Sequence, residues 1–443
     1  MSTKTDALLP AETGLLDSPA YKSYVVGVLV LAYVCNVINR DAFGALVQPI
    51  KQALQLSDTS IGLLTGMAFA FFYSIMGVPI ARLADRWNRV KVLAIAVALW
   101  SAATASCGAA VNFATLFFAR SGTAVGEAGG SPPSHSLISD YFPPSQRATA
   151  LAVYAMGVPF GAAIGSVISG WSNVFFGWRA TFVIVGVPGL LVALLIRLTV
   201  KEPPRGYSEP DRNRKYDRAP PFLEVFRFLL TRRSFMHMSV AAALHSVVWY
   251  AGSNWNNAFF VRTHDMNTGV AGSYLGIFAL IGVIGSFAGG FLADKISIRR
   301  NDKRWYMWVP AIACLIMVPF QLLSYLSPKL GVVVPAFSIM IVLASMFFGP
   351  SFAVAQSVAT VRMRAVSTSV LLFIQTLIGL TLGPFIVGLI SDALAPTAGA
   401  DSLRYGLAVV GVVNVWAAFH YWMGSRTYRE DLGETAQLSA ANT

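Results

Sequence analysis

The sequence predicts an all-α membrane protein of twelve transmembrane helices in two six-helix halves. Three observations carry that reading. Of the 443 residues, 55% are hydrophobic and only 12% are charged, a balance too apolar for a water-facing surface. Apolar runs of helical length recur along the chain, for example at 92–110, 182–198, 308–326 and 332–355; as a helix, roughly 20 such residues cross a hydrocarbon layer of about 30 Å. Finally, the stretches Ala81 to Lys91 and Gly290 to Arg300 each lead an apolar helix end through Leu-Ala-Asp into a basic turn. Asp85 and Asp294 stand 209 positions apart, nearly half the chain. One unit is written twice. The short alternating segments of a transmembrane barrel are not the pattern here.

In chain order, the first span covers about 22–48 and is expected to break at Pro49. The second follows the capping run Ser57-Asp58-Thr59-Ser60 and ends at Asp85. A third covers 92–111. The fourth starts at Phe113 and stops at Pro143-Pro144, since paired prolines cannot continue a helix. The fifth begins near Arg147, and the sixth runs from Gly177-Trp178-Arg179 to Glu202. The Pro-, Arg- and Asp-rich stretch from Pro203 to Pro221 has no apolar period and reads as a linker. Six further spans follow at about 235–262, 269–295, 305–326, 332–360, 366–392 and 403–424. The polar tail after Arg426 is expected to be unstructured. The organisation is therefore a tail (1–21), a half (22–202), a linker (203–234), a second half (235–425) and a second tail (426–443). Glycines at fourfold spacing, such as Gly157, Gly161 and Gly165, let helix backbones approach closely, whether as ordinary packing or as hinges. Gly157-Val158-Pro159 and Gly383-Pro384 are candidate bending points.

The formal charge of +12 does not point to nucleic acid, because the basic residues gather in alternate connections. Arg82, Arg86, Arg89 and Lys91 form one cluster. Arg205, Arg212, Arg214, Lys215, Arg218, Arg227, Arg232 and Arg233 form a second, and Lys295, Arg299, Arg300, Lys303 and Arg304 a third. The connections between carry little beyond Lys51, Arg179, Arg262, Lys329 and Arg404. This asymmetry puts the rich loops and both termini in the cytoplasm, in a bacterial inner membrane or a plasma membrane. The first twenty or so residues, with Asp6, Glu12 and Asp17, have the form of neither a signal nor a transit peptide. Cys35, Cys107 and Cys314 show no metal or disulfide spacing. Nucleotide loop, HExxH, GxSxG and metal cluster are all missing from the sequence, so the expectation is a protein that is not an enzyme and uses no cofactor.

Charges inside lipid are costly and mark function unless a loop claims them. On the first span Asn36, Asn39, Arg40 and Asp41 lie well inside the helix. On the fourth, Arg120 and Glu127 are seven residues, two turns, apart and project from one face. Arg40 beside Asp41 also admits a purely structural ion pair. The seventh span has a polar-aromatic run of His245, Trp249, Tyr250, Asn254, Trp255, Asn256 and Asn257; Gln356 lies in the tenth and Gln375 in the eleventh. His245 reads either as a satisfied packing histidine or as part of a cavity lining. The two Leu-Ala-Asp turns suggest a gate: Asp85, with Arg86 and Arg89 after it, could face a helix N-terminus of the other half and hold that side shut. A solvated charge cluster is the alternative.

These residues resemble the major facilitator superfamily, whose loop signature has the form G-x-L-A-D-R-x-G-R-K; here Ala81 and Asn88 replace glycines. More narrowly, the chain is similar to the spinster-type lysolipid and sphingosine-phosphate transporters, through Ser57 to Gly66, Val125 to Ala128, Ser139 to Pro143, Gly177 to Arg179 and Lys201 to Gly206. The resemblance implies two six-helix halves around a midplane cavity lined by spans one, four, seven and ten, and alternating-access transport of amphipathic lipids. It also implies a proton-sensitive centre on the first and fourth spans, here Asn39, Arg40, Asp41, Arg120 and Glu127. Asn36, His245, Trp249, Tyr250, Asn254, Gln356, Phe373 and Gln375 are then expected along the cavity, and Asp85, Arg86, Arg89, Asp140, Arg147, Asp294 and Arg364 at the cytoplasmic gate. The expected partners are the lipid substrate, protons and membrane lipids, with no nucleic acid and a monomeric state. One departure matters: similar proteins have Asp where this chain has Asn39. Residues 39 and 41 point about 200° apart on a helix, so Asp41 cannot simply replace that carboxylate. Either Glu127 and Asp41 share the proton-linked role, or the chain is biased toward its protonated conformation.

Overall fold

The computed structural model describes residues 10–209 and 221–441. Asp6 and, from the second basic cluster, Arg212, Arg214, Lys215 and Arg218 lie outside the described residues. The described chain is helical, with no strand. The first half holds α1 (Pro19–Ala45), α2 (Asp58–Arg86), α3 (Arg89–Cys107), α4 (Phe113–Glu127 continued by Ser131–Tyr141), α5 (144–176) and α6 (178–199). The second holds α7 (Arg233–Thr263), α8 (Thr268–Arg300), α9 (Trp305–Leu326), α10 (Leu330–Ser345 continued by Phe348–Ser357), α11 (Arg364–Ala398) and α12 (Ser402–Gly411 continued by Val413–Ala441).

Eight described stretches are long and apolar enough to cross a membrane on composition alone. Two of them fold back and supply two crossings each: 144–199, which reverses at Gly177, and 364–438, which reverses near Gly399. Gly177 turns with φ 79°, a conformation side-chain-bearing residues avoid. The two crossings not found that way are α4, split by a turn at 128–130, and α7, which carries His245 and three asparagines. Polarity and interruption mark these two before any contact is considered.

Both described chain ends and the basic connections lie on one face, the basic face; the other is the far face. The cores distinguish the two. The largest apolar cluster runs across both halves near the far face, joining Phe43, Ile50 and Leu64 to Trp255, Phe259, Phe260 and Val387. Toward the basic face each half has its own cluster. One is built on Val25, Leu29, Trp100, Tyr141 and Ile196, the other on Phe235, Met238, Val354, Tyr421 and Tyr428. Backbone contacts agree. A Cβ on Gly388 would lie 2.3 Å from the Asp58 carbonyl oxygen, and one on Gly272 2.2 Å from that of Ser166, so glycine is what lets α11 meet α2 and α8 meet α5 there. Among the described residues the hydrogen bonds crossing between halves cluster at the same end, including Asn173 to Thr268 (2.9 Å) and Trp171 to Ser273 (3.0 Å). The halves are joined at the far face and separate toward the basic one.

Three local expectations change. The first span breaks at Leu46 rather than at Pro49, which sits in the first turn of a short helix, Val47–Leu54, where proline costs no hydrogen bond. The linker contains an amphipathic helix, Phe222–Thr231, with Val225 and Leu229 buried. The tail after Arg426 is not unstructured but continues α12 as helix. Tyr428, Asp431 and Thr435 form an i, i+3, i+7 stripe that is buried against the second half, and the Asp431 carboxylate accepts the backbone N–H of Ser234 (2.8 Å) at the start of α7. Arg429 adds an ion pair with Asp302 (2.9 Å). Hydrogen bonds from Arg304 hold the Asp302 carboxyl down at about 2.

Candidate functional site

The intramembrane charges converge where α1, α4, α7 and α11 approach one another. Arg40 donates through Nε (2.9 Å) and Nη2 (2.7 Å) to Glu127 Oε2, and Nη2 also reaches Asn36 Oδ1 (3.2 Å). Arg40 and Glu127 therefore neutralise each other across the α1–α4 contact. The Glu127 side chain is fully buried and its Oε1 has no hydrogen-bond partner. That leaves an acceptor in place for a proton or a donor group.

Arg120 differs. It is 3% exposed and makes no ion pair among the described residues; its guanidinium stacks on Phe69 (4.5 Å) and Phe43 (5.1 Å), and Nε is unpartnered. Cation–π contacts of this kind recover part of the lost hydration, but they leave the N–H groups unsatisfied. Glu127 lies on the same face of α4, yet Arg40 has taken it. A small cavity adjoins Arg120 and is lined also by Arg40, Asp41, Thr65, Phe69, Tyr250, Ser253 and Asn254. Asp41 makes no hydrogen bond or ion pair among the described residues. Asn254 donates to the Tyr250 carbonyl (2.9 Å), which orients its amide. Thr65 comes from a π-helical stretch of α2, Leu63–Ala68, a wound form that recurs at functional sites.

Asn39 faces elsewhere. It is fully buried toward α3 and α6, with Nδ2 3.8 Å from where a Cβ on Gly189 would stand, and neither amide atom has a partner. The helical offset between residues 39 and 41 thus puts one against the packed interior and the other on the cavity.

The other expected lining residues divide. Tyr250 and Asn254 line the cavity. Trp249 is half-buried and packs edge-on against Phe348 (5.7 Å). Gln375 is buried with Nε2 unpartnered, whereas Gln356 is exposed and bonds Thr368 (3.3 Å), and Phe373 is 47% exposed. His245 does not line the cavity. Its Nδ1 meets Asn414 Oδ1 (2.8 Å) and its Nε2 the Ala344 carbonyl oxygen (2.9 Å). That carbonyl is freed where α10 breaks between Ser345 and Phe348, so the ring is drawn into the helix packing of the second half.

The seven expected gate residues do not meet across the halves in this conformation. Asp85, Arg86 and Arg364 are exposed, and Asp294 accepts from Tyr306 of its own half (2.5 Å). Arg89 is buried and bound within the first half, to Asp140, to Glu202 (2.7 Å) and to the Pro203 carbonyl (2.8 Å). Arg147 bonds the Ser139 carbonyl (2.8 Å) and Glu209 (2.9 Å). The halves stand apart at this face, so these charges find partners locally or in solvent.

Sequence reasoning missed two groups. Phe43 and Phe69 looked like ordinary span residues, and only the folded contact makes them the bed of Arg120. At the far face Asp58, Lys51, Arg262 and Asp392 converge, although each reads singly as a loop or capping charge.

Comparison with known proteins agrees with this geometry. A solved bacterial homologue of the human lysosomal transporter spinster, in an inward-facing and unoccupied conformation, superposes with a TM-score of 0.86 at 33% identity, covering 94% of this chain and 99% of the other. An MFS-type efflux pump of Mycolicibacterium smegmatis is 31% identical over 93% of this chain and 94% of its own length. Human protein spinster homolog 1 is 26% identical over 86% of this chain and 75% of its own. The Major Facilitator Superfamily model matches residues 29–384, and the chain belongs to that superfamily of transporters.

Proposed function

We propose that the protein moves single-chain amphipathic lipids with a phosphate-bearing head, of the lysophospholipid or sphingoid-phosphate kind, by proton-linked alternating access. The observation that carries this reading is Arg120: a buried guanidinium with no carboxylate partner, on an aromatic bed, beside a cavity. An unpaired cation in lipid is stabilised by an anion that arrives from outside, and a guanidinium fits phosphate bidentately. Trp249, Tyr250 and Phe373 offer apolar surface for an acyl chain. Glu127 and Asp41 exchange protons; protonating Glu127 removes its pairing with Arg40 and frees a second guanidinium for the head. The basic face is cytoplasmic and carries both termini, in a bacterial inner or plasma membrane, and the chain works as a monomer. Asp85, Arg86, Arg89, Asp140, Arg147, Asp294 and Arg364 then act at the cytoplasmic gate once the halves close there.

The test is binding and flux in proteoliposomes with a lysophospholipid, a sphingoid phosphate and a sugar at pH 6 and pH 8. Lipid-selective, pH-dependent flux that Arg120→Ala abolishes is the expected result; transport of the sugar, or of a cationic drug in preference to lipid, overturns the lipid assignment. A drug exporter is the second reading, favoured by the 31% identical efflux pump.

A further inference from the structure

The linker helix that leads into α7, Phe222–Thr231, is apolar on more than the face it buries. Val225 and Leu229 pack under the second half, yet Phe222, Leu223 and Leu230 are 54%, 55% and 46% exposed. Leu223, Arg227 and Leu230 stand at i, i+4 and i+7 and form one outward stripe. Phe222 extends it, stacked on Phe226 with ring centroids 6.0 Å apart and planes at 11°. Single exposed apolar side chains are ordinary, but several joined on one short helix mark a surface that something covers.

Depth and charge identify the cover. The helix ends at Thr231, and after the extended Arg232 the chain enters α7 at Arg233, so it hangs from the first turn of that span. A Cβ on Gly424 of α12 would lie 3.2 Å from the Ser234 carbonyl oxygen, which sets that turn level with Gly424. At the same level Trp422 carries Arg426 over its ring (3.9 Å), and Trp308, which donates to Ser425 (2.9 Å), carries Arg304 (4.6 Å). Tryptophans paired with cations gather where membrane meets water. The helix is therefore attached at headgroup depth, and exposed apolar surface resumes at Met236 near the start of α7. Arg227 lies within the stripe and Arg233 follows it; both are exposed, and neither makes an ion pair among the described residues. Arg232 is already engaged, paired with Glu434 and stacked on Phe228 (4.6 Å). Glu224 is the one acid on the helix, and the sequence just ahead adds Arg212, Arg214, Lys215 and Arg218 against Asp211 and Asp217. An amphipathic helix with such a basic excess binds a membrane surface through apolar burial and through attraction to anionic lipid.

We infer that Phe222–Thr231 is a membrane-surface anchor selective for anionic phospholipid. Phe222, Leu223 and Leu230 enter the boundary between headgroups and acyl chains beside the second half, and Arg227 and Arg233 take the lipid phosphates. A zwitterionic bilayer offers the same apolar boundary without net charge, so the helix sits deeper in anionic lipid.

The test reads depth in the bilayer. Full-length protein with its three native cysteines replaced carries a single spin label at position 223, at position 230 or, as an aqueous reference, at the exposed far-face residue Gln55. It is placed in nanodiscs of phosphatidylcholine alone or with about one third phosphatidylglycerol. Relaxation by oxygen, which concentrates in lipid, is compared with relaxation by a water-soluble nickel chelate. In anionic discs the oxygen-to-nickel ratio at 223 and 230 is expected about tenfold above that at 55, and about threefold above its own value in neutral discs. The double variant Arg227→Gln, Arg233→Gln erases the dependence on lipid charge and keeps the parent melting temperature. Labels at 223 and 230 that are as open to nickel as position 55 in anionic discs overturn the anchor. Labels shielded from both reagents overturn it as well, because protein then covers the stripe. Equal ratios in the two lipids overturn the anionic selectivity. No substrate enters the measurement, so a failure of lipid transport leaves the anchor standing.

Discussion

The two halves share an architecture but solve the same position in opposite ways. Where α1 meets α4, a charged arginine and glutamate lie buried together, with a second arginine unpaired beside them. Where α7 meets α10, the corresponding contact is neutral: His245 joins Asn414 and a broken turn of α10, and Asn414 passes the chain on to Gln321 (3.3 Å). Buried neutral networks of this kind fix geometry when each member is satisfied, whereas buried charges respond to protons and ligands. The repeated fold therefore supplies a scaffold twice and reactive chemistry once.

Four experiments test this division, taken in order of decreasing effect. Glu127→Ala strips Arg40 of its carboxylate and is expected to cost about 3 kcal/mol, the low end for breaking a buried pair because Arg40 faces the cavity. Thermal unfolding in detergent measures it, with flux abolished in proteoliposomes; an unchanged melting temperature means the pair is not structural. Arg120→Ala should weaken lysolipid binding about 100-fold, about 2.7 kcal/mol, with folding retained. Equal binding by calorimetry removes Arg120 from the site. His245→Leu should destabilise by about 1–2 kcal/mol while headgroup affinity and the pH profile of flux stay as in the parent. A shifted pH profile would instead give the second half a titrating role and end the contrast.

The smallest effect concerns the tail. Asp302 is held at about 2 by hydrogen bonds from Arg304, and it also pairs with Arg429 of the tail. An unfolded aspartate titrates near 3.9. The folded value is depressed, so the contribution is complete above about pH 4 and is lost as pH falls toward 2. Hydrogen exchange at 428–435 should be flat between pH 8 and pH 5 after correction for intrinsic rates. Asp302→Asn should loosen the tail slightly across that range.

Much of this was legible beforehand, and particular residues show where legibility stopped. Arg40, Arg120, Asp41 and Glu127 stood out because charge is rare in apolar runs. Their division into a neutralised pair and free groups did not, since Arg120 shares a face of α4 with Glu127 two turns away and the carboxylate is nevertheless taken by Arg40 from α1. His245 carried both readings, and the neighbour that decides is a backbone carbonyl, which no side-chain pattern displays. The tail was misread because a three-residue stripe, Tyr428, Asp431 and Thr435, is too short to register as an amphipathic period.

Composition and pattern along the chain establish that it lives in lipid, that it is built from two repeats of six helices, and which few ionisable groups are immersed. Those facts follow from composition and from periods read along a single helix, where neighbours are fixed by the 3.6-residue turn. Which charges pair, that the halves meet at the far face and part at the other, and that Asp58 and Asp392, 334 positions apart, hydrogen-bond there became visible only in the folded chain. In a bilayer an apolar helix face can turn to lipid or to protein with little difference in solvation. Docking is therefore settled by glycine-sized gaps and by polar groups that find each other across the fold, and neither is local to any stretch of sequence.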